Sequence, residues 1–122
     1  MTNYTYEQAT GRFLGPDGKL LATGYSGNGE GLNNPAMEAV HMVGPIPRGG
    51  WAIDLTPLPL GHLGPLALVL SPVGFDPNGR SLFRIHGDNS AMNHTASDGC
   101  IILPHDARQA IVNGAVTALE VM

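Results

Sequence analysis

Seventeen glycines and ten prolines interrupt this 122-residue chain, close to a quarter of its positions. Such a content is found in disordered segments. Here, however, 43% of the residues are hydrophobic and only 13% are charged, so the chain has enough apolar surface to collapse. A turn-rich, mostly β fold is the consistent reading, and the length suits a single domain over residues 1–122 with one core.

Alternation and turn residues place the elements. Residues 3–9 alternate, with Tyr4 and Tyr6 on one face, and read as a strand. Thr10-Gly11-Arg12 turns into a short Phe13-Leu14 strand. Gly15-Pro16-Asp17-Gly18 is a strong turn, and Leu20–Tyr25 closes a small meander. Residues 26–35 carry glycines without periodicity and read as an ordered loop. Further strands are expected at Trp51–Leu55, Leu66–Leu70, Ser81–His86, Cys100–Leu103 and Val116–Val121, with Trp51 in the core. Pro104 can open a helix through Ala107, Ala110 and Ile111 that stops at Asn113-Gly114.

Several function classes are disfavoured by composition. The net charge is −4, and the six basic residues are scattered, so nucleic acid is not an expected partner. No apolar run approaches the roughly 20 residues of a membrane span. Residues 1–7 have neither a basic nor an apolar segment, so synthesis in the cytoplasm without an ordinary signal peptide is expected. The single cysteine rules out an internal disulfide and suits a reducing compartment.

Chemistry concentrates in two segments, Phe83–Ser90 and Ser97–Leu103. A free thiol is only a few per cent thiolate at neutral pH, so a nucleophilic cysteine needs a partner, usually histidine. His86 ends an apolar strand beside Gly87, and Cys100 follows Gly99, whose amide could join that of Cys100 at a developing oxyanion. Taken alone, these residues leave a buried structural thiol and a catalytic one both open. His94 is an alternative base. His86, Asp88, His94 and Cys100 are zinc-ligand types, but they match no structural zinc spacing.

Ile85-His86-Gly87 followed by Ala96-Ser97-Asp98-Gly99-Cys100-Ile101 resembles the signature of L,D-transpeptidases. With Tyr25–Gly31, Asn33-Asn34-Pro35 and Val43–Gly49, the chain resembles more closely the type VI secretion L,D-transpeptidase effectors, a group of antibacterial toxins. The resemblance implies an antiparallel β-sandwich or open barrel with one short helix near the C-terminus. It implies Cys100 as nucleophile and His86 as base, within a segment that includes Ser97 and Gly99. Tyr25, Asn28, Asp88 and Asn89 are then candidates to bind substrate.

The implied activity is acyl transfer on peptidoglycan tetrapeptide stems, either L,D-carboxypeptidase or D-amino acid exchange, with no cofactor and no metal. Implied partners are the stems, a cognate immunity protein and secretion-machine components, with action in the periplasm of a target bacterium. The alternative is a non-catalytic module that binds wall peptides or a secretion partner. Two positions depart from the broader transpeptidase pattern. Asp98 replaces a second His, and Ile102 replaces a polar or basic residue, which bears on the balance of transfer and hydrolysis.

Overall fold

The structure, a computed structural model, describes residues 3–59, 65–88 and 96–122. Nine strands lie in it: β1 (Asn3–Tyr6), β2 (Arg12–Leu14), β3 (Leu20–Thr23), β4 (Tyr25–Ser26), β5 (Gly49–Ile53), β6 (Leu68–Pro72), β7 (Arg84–His86), β8 (Ile101–Ile102) and β9 (Ala118–Val121). One helix, α1 (His105–Asn113), sits between β8 and β9. The strand order is β3-β2-β1-β9-β5-β6-β7-β8-β4.

That order dictates the shape. Strands β3 and β4 stand at opposite ends of the sheet, yet only Gly24 separates them in the chain. The sheet must therefore curl until its two edges meet, giving a nearly closed barrel. Gly24 crosses the seam so tightly that a Cβ there would lie 1.8 Å from the Ile102 carbonyl oxygen, which only glycine avoids. The continuous strand expected over Leu20–Tyr25 is thus broken at Gly24 and shared between the two edges.

Most strand pairs are antiparallel, as expected. Two, β1 with β9 and β7 with β8, are parallel. Each parallel pair joins strands far apart or separated by a long connection, a relation that local patterning does not reveal.

The core follows the alternation in the sequence. Tyr4 and Tyr6 of β1, Leu119 and Val121 of β9, and Leu68 and Leu70 of β6 point inward. Trp51, 1% exposed, packs edge-on to Phe83 with centroids 4.9 Å apart and donates its indole N–H to the Pro47 carbonyl. Aromatic packing of this kind adds to simple burial. Helix α1 lays Ala107 and Ile111, one turn apart, on this core, and the Gly114 amide closes its end on the Ala110 and Ile111 carbonyls.

Candidate active site

Strands β7 and β8 run parallel, with Ile85 beside Ile101 and His86 beside Ile102. Ile85 and Ile101 are fully buried in the barrel. By the two-residue period of strands, Arg84, His86 and Cys100 lie on the opposite side. There His86 and Cys100 line a common cleft of about 720 Å³. Their Cα positions are diagonal neighbours across one strand spacing, about 8 Å apart by strand geometry.

Each member of the pair is held by the backbone. His86 is 5% exposed, and its Nδ1 lies 2.8 Å from the Gly87 carbonyl oxygen. A carbonyl only accepts, so Nδ1 carries the proton and Nε2 presents its lone pair. The Cys100 thiol donates to the Leu82 carbonyl at 3.6 Å. Burial, with the Arg108 and Arg84 charges, pushes the His86 pKa down, against the hydrogen bond donated to the Gly87 carbonyl and the charge of Asp88. Burial pushes the Cys100 thiol up, outweighing Arg84 and Arg80, which favour the thiolate. The resting pair is therefore a neutral thiol and a neutral imidazole. Desolvation disfavours both the thiolate and the imidazolium here.

The loop before Cys100 is tied by side chains. Ser97 is fully buried, and its hydroxyl donates to the Cys100 carbonyl at 2.6 Å while accepting from the amides of Gly27 and Gly99. Ser26 Oγ donates to the Gly99 carbonyl at 3.0 Å. Gly99 adopts φ +135, and a Cβ would meet Arg80 Nη2 at 2.4 Å, so the position demands glycine. The Gly99 amide, one of the two oxyanion donors expected, is engaged with the Ser97 hydroxyl instead.

Tyr25, Asn28 and Asp88 stand behind this loop. The Tyr25 hydroxyl donates to Asp88 Oδ1 at 2.6 Å and accepts from the Ala96 amide at 3.2 Å, and burial pushes its pKa up to about 12. Asn28 Nδ2 donates to the carbonyls of Met42 and Ser97, each at 2.8 Å, and reaches Asp98. Asn89, His94 and His62 lie outside the described residues. A Cβ at Gly27 or Gly31 would meet the backbone of residues 43–45, so both glycines let the two loops pack closely. Replacing Asn28 by alanine is therefore expected to cost about 1–2 kcal/mol of stability and to reduce turnover with it. Thermal melts and turnover on one sample check this, and lost activity at an unchanged melting temperature would make Asn28 a substrate contact instead.

Three arginines that sequence reading counted only as scattered charge prove central. Arg80, 6% exposed, donates from Nη1 to the carbonyls of Glu38 and Pro45, and from Nη2 to those of Gly44 and Asp98. It also lies 5.2 Å from the Phe83 ring centroid. Five donors in a rigid fork suit this gathering of three loops. Arg108 of α1 donates to Leu103 and Pro65 and packs against Gly87. Arg84 lines the cleft beside Cys100. Among the described residues, no cluster of three His, Cys, Asp or Glu side chains could hold a metal.

A half-buried loop bearing one thiol, laid beside a histidine strand in a barrel closed at Gly24, now meets an independent observation. Residues 21–122 match the Tlde1 domain, the type VI secretion L,D-transpeptidase effector 1 family. The chain belongs to the Tlde1 family. The match takes in every residue that lines the cleft, from His41 to Cys100, and leaves out the first two strands and Leu20. No curated protein and no solved structure is significantly similar to the chain. Membership of Tlde1 makes this an L,D-transpeptidase-like secretion effector, and no helix among the described residues is long and apolar enough to cross a membrane.

Proposed function

We propose that this Tlde1 domain is a cysteine L,D-carboxypeptidase and transpeptidase acting on peptidoglycan tetrapeptide stems. The observation that carries the reading is the placement of His86 Nε2, free to accept, on the same cleft face as the Cys100 thiol.

The reaction begins when the thiol leaves the Leu82 carbonyl for His86 Nε2. As Sγ attacks the carbonyl of the third stem residue, its proton passes to Nε2, and the Cys100 amide receives the oxyanion. The carbon–nitrogen bond then breaks, and His86 protonates the departing D-alanine amine. Water or a D-amino acid, deprotonated by His86, resolves the thioester. A neutral starting pair suits this concerted use of a base. Ser97, Gly99, Tyr25, Asn28 and Asp88 serve substrate by fixing the loop that presents Cys100.

Loss of tetrapeptides would starve cross-linking, which fits an antibacterial effector acting in the periplasm of its target. A cognate immunity protein and components of the secretion machine are its proposed partners. The raised pKa of Cys100 favours one second reading, a wall-peptide or secretion-partner binding module without turnover. Digestion of purified peptidoglycan followed by mass spectrometry separates the two. Conversion of tetrapeptide to tripeptide stems, and D-amino acid incorporation when one is supplied, is the expected result. Unchanged tetrapeptides would leave the binding module.

A further inference from the structure

We infer that Arg84 is the site that binds the terminal carboxylate of the residue leaving, or entering, at Cys100. This deepens the peptidase reading and rests on it. Arg84 precedes Ile85 as Cys100 precedes Ile101, so the parallel register sets Arg84 directly beside the nucleophile. Both residues line the cleft.

The Arg84 guanidinium is poorly used within the protein. Its Nε is buried without a hydrogen-bond partner, and Nη1 makes only a 3.3 Å contact with the nearby Leu82 carbonyl. Among the described residues it has no carboxylate partner, whereas Arg12 and Arg48 each have one. A buried, unsatisfied donor on a cation is costly unless a ligand completes it. Arg80 and Arg108, by contrast, are engaged with backbone carbonyls.

Distance selects the ligand. A terminal carboxylate lies one residue beyond the attacked carbonyl, within about 4 Å of it. Adjacent strands are about 4.8 Å apart, and Arg84 and Cys100 line one cleft, so that group falls within reach of the Arg84 side chain. A carboxylate at the far end of the third residue's side chain lies several bonds further out. The two oxygens of a carboxylate also match the guanidinium fork. The same contact would orient an incoming D-amino acid, since its carboxylate retraces the path of the one that left. Arg84 thus makes the cleft specific for chain ends.

The test compares a tetrapeptide ending in D-alanine with the same peptide ending in D-alaninamide, using wild type, Arg84→Gln and Arg84→Lys. Wild type is expected to prefer the free carboxylate by about 10- to 100-fold in kcat/KM, as for a charge-assisted hydrogen bond. Arg84→Gln should bring the carboxylate-to-amide ratio of kcat/KM close to one, whatever the loss of its charge beside Cys100 and His86 does to both rates in common, and Arg84→Lys should restore part of the ratio. Equal loss on both peptides, or a wild type without preference, overturns the inference even if Arg84→Gln folds poorly. A wild type that cleaves neither peptide contradicts the peptidase reading itself, and the inference falls with it. A third peptide, amidated only on the side chain of its third residue, should behave like the unmodified one. Loss of Arg84 dependence with that peptide instead would move the contact to the side chain and refute the terminal assignment.

Discussion

Cys100→Ala is expected to reduce D-alanine release by about 10⁴-fold or more, as when the nucleophile of a covalent mechanism is removed, while the barrel persists. The chain has no second thiol to take over. Structurally the change is small. It removes the weak bond to the Leu82 carbonyl and the contact with the Arg84 backbone, and leaves Ser97, Ser26 and Arg80 holding the loop through backbone groups. The melting temperature should therefore stay close to that of wild type, whose thiol is only partly covered. Turnover surviving in a folded Cys100→Ala protein would remove the covalent mechanism altogether.

His86→Ala should cost about 10³-fold, within the usual range for a general base. The pH dependence carries the more specific expectation. Protonated His86 cannot accept the thiol proton, so kcat/KM falls on the acid side as His86 titrates. Burial and the neighbouring Arg108 and Arg84 charges hold that titration below the ordinary imidazole value of 6.5. Activity should accordingly persist in mildly acidic buffer and decline only below that value, and the His86→Ala variant should lack this limb. The thiol titrates above its ordinary value of 9.0, so alkylation of Cys100 should be slow at neutral pH and accelerate well into the alkaline range. Rapid alkylation at neutral pH would show a preformed thiolate and contradict the neutral pair.

What the sequence disclosed was local. Tyr4 with Tyr6 and Phe83 with Ile85 announced their strands through alternation, and Pro104 with Gly114 framed α1. The placement of Cys100 near His86 came from a motif, and the parallel pairing of β7 and β8 supplies its spatial reason. What stayed hidden depends on closure of the barrel. Gly24 reads as one more residue of a strand until the two edges of the sheet meet across it. Arg80, Arg84 and Arg108 carry no periodic signal, and an isolated arginine reads as solvated surface. Their roles exist only because loops distant in sequence converge, as the Arg80 bonds to Glu38, Pro45 and Asp98 show. The raised thiol pKa has the same origin, since desolvation comes from packing and not from neighbours in the chain.

Covalent chemistry at Cys100 is tested most directly by intact mass of the protein after rapid acid quench from excess tetrapeptide. The expected product is an adduct equal to the stem less D-alanine, located on the fragment containing Cys100 and removed by hydroxylamine. Release of D-alanine at every quench time with no adduct, or with an adduct on another residue, would contradict it.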